Sequence, residues 1–119
     1  MKFERELMRG AGPIAVMQLL NAGEMYGYEL VQALSQRTDG VLDMGQSTLY
    51  PMLYNLEAKA MVKSRIDKTH GPRARKYYRL TRKGEKKLAG DCQQWAAMSK
   101  ALSSLGVPQS SVCIAGGGA

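Results

Sequence analysis

The leucine spacing in residues 45–57 constrains this chain more than any other feature. Leu49, Leu53 and Leu56 recur at i, i+4 and i+7, so they form one apolar stripe along a helix. Pro51 lies about one turn into that helix, where the backbone donor it removes is still near the free N-terminal end. The segment is therefore predicted to be a helix with one face buried in a core.

The opposite face of this helix is polar and aromatic and carries few charges. It comprises Ser47, Thr48, Tyr50, Tyr54 and Asn55. Such a surface suits the major groove of DNA, where base edges present hydrogen-bond donors and acceptors. A surface helix that simply carries two tyrosines has the same pattern, so the helix alone leaves both interpretations open.

Positive charge is concentrated in one quarter of the chain. From Lys59 to Lys87 there are twelve Lys or Arg residues and two acidic residues, a local net charge of +10 in a chain whose total is +7. The rest of the chain is therefore slightly acidic. A basic block of this kind favours a polyanionic partner, and nucleic acid before membrane because no amphipathic membrane-binding segment accompanies it.

Helical segments precede the basic block. Residues 1–9 are predicted as a short charged helix that is ended by Gly10, Gly12 and Pro13. Residues 14–20 are predicted as a second helix, short and buried. Residues 26–37 form a third predicted helix, followed by a turn at residues 38–40. Val41 and Leu42 are predicted to add a brief strand, and the helix that follows is expected to end near Lys59.

A β-hairpin and a long helix complete the chain. Residues 61–67 and 75–80 have strand character, and residues 68–72 have the composition of a turn. Helices followed by a basic hairpin are typical of the winged helix-turn-helix, in which one helix enters the major groove and the hairpin contacts backbone. The predicted fold is therefore mainly α with a small β-hairpin.

The predicted last helix, residues 81–105, has an apolar seam. Its seam residues recur at 4-3-4-3 spacing, and they are Leu88, Cys92, Trp95, Ser99 and Leu102. At roughly 37 Å the helix is too long for one small core to cover, so the seam predicts a partner helix. Thr81 is placed to cap its N-terminus.

Length and composition are those of one globular domain. The chain has 119 residues and 45% apolar content, with no apolar run long enough for a membrane span and no visible signal peptide, so a cytoplasmic location is expected. The predicted organisation is a DNA-binding region at 1–80, a dimerisation helix at 81–105 and a disordered tail at 106–119. Cys92 and Cys113 lack metal or disulfide spacing, and His70 is the single histidine. No enzyme, cofactor or metal site is predicted.

Three motifs, taken together, resemble those of the PadR family of bacterial transcriptional regulators. They are Tyr26-Gly27-Tyr28-Glu29-Leu30, then Ser47-Thr48-Leu49-Tyr50-Pro51-Met52-Leu53 with Leu56-Glu57, and Arg75-Lys76-Tyr77-Tyr78-Arg79-Leu80-Thr81 with Gly84. The single C-terminal helix is similar to that of the small members, which include multidrug-sensing repressors. The resemblance implies a homodimer that binds a palindromic operator and releases it when a small aromatic effector binds. Ala60 departs from the family pattern, where glycine is common, and Gly45 replaces the usual Ser or Asn.

The resemblance also implies two sets of site residues. The expected DNA contacts are Gln46, Ser47, Thr48, Tyr50, Pro51, Tyr54 and Asn55 on the helix and Arg73, Arg75 and Lys76 in the hairpin. The expected effector pocket comprises Trp95 with Leu7, Ile14, Met17, Cys92, Met98 and Ser99. Trp95 has a second interpretation, because a seam tryptophan can simply pack a dimer. The alternative function for the whole chain is a winged-helix module that binds protein or RNA without recognising an operator.

Overall fold

The computed structural model describes residues 3–69 and 71–108. In chain order the elements are α1 (Arg5–Ala22), β1 (Met25–Tyr26), α2 (Gly27–Arg37), α3 (Gln46–Ala58), β2 (Val62–Asp67), β3 (Arg75–Leu80) and α4 (Arg82–Ser104). The helices predicted at 26–37, 45–59 and 81–105 and the two strands of the predicted hairpin are confirmed. His70, Cys113 and most of the predicted tail, residues 109–119, lie outside the described residues. Within the described part of the chain, no helix is both long enough and apolar enough to cross a membrane.

The core forms where the leucine stripe of α3 meets the other helices. Leu49 and Leu53 are fully buried and Leu56 is 6% exposed, as their spacing predicts. They pack in one cluster with buried side chains from α1, α2, the strands and the start of α4, among them Val16, Met17, Leu30, Leu34, Val62, Tyr78 and Leu88. The chain divides into two compact units within α4, residues 1–88 and 89–119, and this core belongs entirely to the first.

A three-stranded antiparallel sheet with the order β1-β3-β2 accompanies the helices. Strands β2 and β3 form the predicted hairpin, in register from Val62 opposite Leu80 to Asp67 opposite Arg75. We refer to this hairpin, residues 62–80, as the wing. Strand β1 was not predicted, because its two residues, paired with Tyr78 and Tyr77, are too few for an alternating pattern. The architecture confirms the predicted class, a mainly helical winged helix.

The prediction of two separate helices at residues 1–9 and 14–20 was wrong, because α1 runs unbroken through Gly10, Gly12 and Pro13. Gly12 is buried, and the Met52 side chain of α3 occupies the space beside it, since a β-carbon there would lie 2.5 Å from the Met52 Cε. Glycine is therefore used at this position for close helix packing. Tertiary contact outweighs the local helix-breaking tendency of the sequence.

The predicted brief strand at Val41 and Leu42 was also wrong, because these residues belong to a turn. The Thr38 hydroxyl accepts a hydrogen bond from the backbone N–H of Leu42 at 2.9 Å and donates to the Leu34 carbonyl. The Thr38 side chain thereby stabilises a turn after α2. The backbone of Val41 and Leu42 is therefore not extended and does not pair as a strand.

A tight corner joins α3, the wing and α4. The Thr81 hydroxyl caps α4 by accepting from the Gly84 N–H at 3.0 Å, as predicted, and donates to the Ala60 carbonyl at 2.7 Å. Gly84 packs directly against the corner, since a β-carbon there would lie 2.1 Å from the Met61 carbonyl oxygen. Ala60 has a φ of 61°, in the left-handed region that glycine occupies at lower cost. The left-handed backbone at this corner gives a physical reason for the glycine that the family pattern described above leads us to expect in place of Ala60.

Ala60→Gly should stabilise the protein by roughly 0.5–1 kcal/mol, because it relieves the left-handed strain of an alanine. Ala58→Gly is the matched control two residues earlier at the end of α3, and it should destabilise by a similar amount. Chemical denaturation of both variants and the wild type measures the two changes. A loss of stability in Ala60→Gly would contradict the strain assigned to this corner.

Candidate nucleic-acid interface

The outward face of α3 is available for contact with a ligand. All seven residues predicted on this helix are exposed, and Tyr54 extends furthest, at 73% exposure. Tyr50 differs from the others because its ring packs on α2, with its hydroxyl 2.5 Å from the position of a β-carbon on Gly27. The glycine at the start of α2 therefore makes room for this tyrosine.

A cleft of about 670 Å³ lies between α3, the start of α2 and the wing. It is lined by tyrosines and cations, namely Tyr26, Gly27, Tyr28, Tyr50, Pro72, Arg73, Ala74, Arg75, Lys76 and Tyr78. The structure thus brings Tyr50 together with all three predicted wing cations. Tyr26 and Tyr28 were missed as candidates for this surface, although the Tyr-Gly-Tyr motif that contains them had been recognised.

The three predicted wing cations have different environments. Arg73 is exposed and forms no ion pair with any described residue. Arg75 lies over the Tyr26 ring at 4.6 Å, and its hydrogen bond with Tyr77 raises the pKa of the guanidinium. The Lys76 ammonium lies 3.7 Å from a Glu57 carboxylate oxygen on α3. Arg73 is therefore the predicted cation most available to a phosphate.

Arg65, on the neighbouring strand, is paired with an acid that sequence reasoning did not connect to it. Its guanidinium makes two hydrogen bonds to the Glu24 carboxylate, at 2.7 and 2.9 Å, and lies 4.7 Å from the centre of the Tyr77 ring. The hydrogen bond from Arg65 lowers the pKa of the Glu24 carboxyl below its usual value. The two residues are 41 positions apart, so no local pattern indicates the pair. Part of the basic block is thus neutralised within the fold.

The residues expected to form an effector pocket lie on α1 and α4. On α1, Leu7 is exposed, Ile14 is half-buried and Met17 is a core residue with 1% exposure. On α4, Cys92, Trp95 and Met98 are exposed, and Ser99 is half-buried. A shallow groove on α4 is lined by Trp95, Ala96, Ser99, Lys100, Ser103 and Ser104. Trp95 is 49% exposed there, so much of its ring is open to a partner or ligand.

Residues 16–90 match the model of the transcriptional regulator PadR-like family. This match covers more than half of the chain. The chain belongs to the PadR-like family. The matched region includes every predicted DNA contact, but only Met17 of the expected effector pocket.

Solved structures of PadR-like and other transcriptional regulators are similar to this chain over most of its length. A transcriptional regulator from Clostridium thermocellum is 28% identical with a TM-score of 0.77, covering 83% of this chain and 96% of its own. A Streptococcus transcriptional regulator is 29% identical with a TM-score of 0.76, covering 87% and 100%. A PadR family regulator from Eggerthella lenta is 32% identical with a TM-score of 0.75, covering 84% and 85%. The resemblance recognised from the motifs is therefore confirmed, and the protein is a PadR-like transcriptional regulator.

Proposed function

We propose that this PadR-like regulator is a homodimeric repressor that binds a palindromic operator in double-stranded DNA. In this proposal α3 enters the major groove and the wing contacts the backbone. The observation that carries it is the exposed, hydroxyl- and amide-rich face of α3 beside a cleft lined by three cations. Hydrogen-bonding side chains suit base edges, and cations suit phosphates.

The two elements are expected to contribute differently to binding. Helix α3 has one acidic residue and no basic one, so it adds little to long-range attraction and much to the choice of sequence. The wing presents Arg73 without an ion pair among the described residues, so it adds affinity that depends on salt and little on sequence. This division supports a sequence-specific protein over a module that binds polyanions generally.

Tyr54→Ala should change which DNA sequences are preferred, whereas Arg73→Gln should weaken all duplexes about equally. For Arg73→Gln the slope of log K against log salt should become shallower by about 0.9 if one phosphate contact is lost. Arg37→Gln removes the same charge at the far end of α2, roughly 15 Å along that helix from the cleft, and is the control. Salt titrations with selected and random duplexes measure both effects. An unchanged slope in Arg73→Gln would mean that the wing assignment is wrong.

The dimer part of the proposal rests on α4. Large apolar side chains are exposed along it, with Met98 at 61% and Leu102 at 42% exposure. A second copy of the same seam would remove this surface from water, and a two-fold dimer matches a palindromic site. The half-sites would then lie about one helical turn, roughly 34 Å, apart.

Sedimentation at micromolar concentration should give twice the chain mass of 13.0 kDa. Leu102→Glu places a charge in the seam and should shift the protein toward monomer. Gln93→Glu adds the same charge on the opposite side of α4, by its helical position, and should leave the dimer intact. A monomeric wild-type protein would contradict both the proposed dimer and the proposed palindromic operator.

The effector part of the proposal rests on the exposed ring of Trp95. A planar aromatic compound could stack on it at the dimer seam and favour a dimer whose two α3 helices are spaced wrongly for DNA. Ligand binding releases DNA only if the ligand prefers that state, because equal affinity for both states does not shift the equilibrium between them.

Trp95 is the only tryptophan, so its emission reports binding there directly. Saturable quenching of Trp95 emission by planar dyes should be accompanied by loss of DNA affinity. Quenching without that loss would contradict an effector role and would assign Trp95 to the packing of the dimer.

A further inference from the structure

Glu57 is the one acidic residue of α3, and it lies in the last turn of the helix, where that helix approaches the wing. A carboxylate on a helix that approaches DNA repels phosphate, so by charge alone it disfavours the proposed function. The contacts that Glu57 makes with the wing account for an acidic residue at this position. Its two oxygens engage two different strands of the wing.

One carboxylate oxygen of Glu57 accepts a hydrogen bond from the Ser64 hydroxyl on β2, at 2.5 Å. The other lies 3.7 Å from the Lys76 ammonium on β3. Lys76 also lies over the Tyr78 ring, 5.5 Å from its centre. Burial, with a smaller contribution from Glu57, raises the pKa of the Tyr78 hydroxyl, so this ring is neutral at physiological pH. A single side chain thus connects α3 to both strands of the wing.

These contacts are not needed to hold the fold together. The ion pair is about half exposed, with Lys76 at 48% and Glu57 at 35% of their side-chain surfaces, and such pairs contribute little to stability. The core on the other side of α3 already fixes the helix. What the contacts add is a defined position of the wing relative to α3, together with restraint of the Lys76 charge.

We propose that Glu57 is a positioning residue for DNA recognition, which holds the wing in the place where base contacts from α3 and phosphate contacts from the wing form together. The inference rests on the DNA-binding function proposed above. Without the Glu57 carboxylate, the wing keeps its cations and Lys76 becomes free to contact any phosphate. Binding to arbitrary DNA is then maintained or strengthened, while the preference for the selected sequence falls.

The test compares discrimination between two duplexes. A high-affinity duplex is first selected from a random pool with the wild-type protein, and its affinity is compared with that of a scrambled duplex of equal length. Glu57→Gln should reduce the ratio of the two affinities by roughly three- to tenfold, the loss expected for one hydrogen bond of ordinary strength. Ser64→Ala should reduce the ratio in the same direction without any change in net charge.

Glu6→Gln is the matched control. It removes one negative charge at an exposed position in the first turn of α1, and Glu6 makes no described hydrogen bond or ion pair with the wing. Its effect on both duplexes should be equal, so the affinity ratio should stay within about twofold of the wild type, a change below 0.5 kcal/mol. Thermal unfolding of each variant, measured alongside, shows whether the fold is retained.

The outcomes separate the two proposals. A wild type that binds no duplex overturns the DNA-binding function itself. A wild type that discriminates, with Glu57→Gln and Ser64→Ala discriminating equally well, overturns only the role of Glu57. Loss of affinity for both duplexes by one common factor, with a lowered unfolding temperature, would also overturn it, because that is the result of a purely structural residue.

Discussion

Burial of the leucine stripe on α3 is the interaction on which the rest of this structure depends. Each buried leucine is worth about 1.5–3 kcal/mol, and three on one helix determine its rotation about its own axis. With Leu49 and Leu53 fully buried, the polar side chains on the opposite side of the helix must face outward. The exposed face that includes Thr48 and Tyr54 is therefore a consequence of core packing. Hydrophobic burial on one side presents the polar surface on the other.

The wing depends on a different kind of interaction. Its strands carry more cations than the surrounding acids can neutralise, and Lys63 lies directly opposite Arg79, an arrangement that repels. Other cations are held by neighbours, with Arg65 paired to Glu24 and Arg75 over the Tyr26 ring. The hairpin is thus stabilised by those cations that have partners within the fold. The cations without such partners stay available to a polyanion.

The sequence predicts the elements that repeat a local pattern. The leucine stripe of α3, the two wing strands and the seam of α4 all carry their own periodicity, and the corresponding helices and strands were found where expected. The errors came from interactions between distant segments. The course of α1 through Gly12 depends on the Met52 side chain, and β1 forms only because β3 offers it a partner. The pairing of Glu24 with Arg65 belongs to the same class, since nothing near either residue indicates the other. In the candidate site, the exposed face of α3 was predictable, whereas the partners of the wing cations were not.

The pairing of wing cations alters what the net charge implies for binding. A local charge of +10 suggests many phosphate contacts, yet salt dependence follows the number of cations that reach phosphate, not the formal charge. Before it can contact phosphate, Arg65 must give up its ion pairs with Glu24 and Asp67. The lowered pKa of the Glu24 carboxyl means that its pair with Arg65 persists at neutral pH, and that the contribution of this pair to stability is lost as acidification protonates Glu24. Lys76 must likewise leave Glu57, whereas Arg73 has no ion pair with a described residue to break. The cations of the basic block therefore differ in their availability. An exposed cation such as Arg73 can contact phosphate directly, whereas Arg65 and Lys76 must first give up contacts that help to shape the wing.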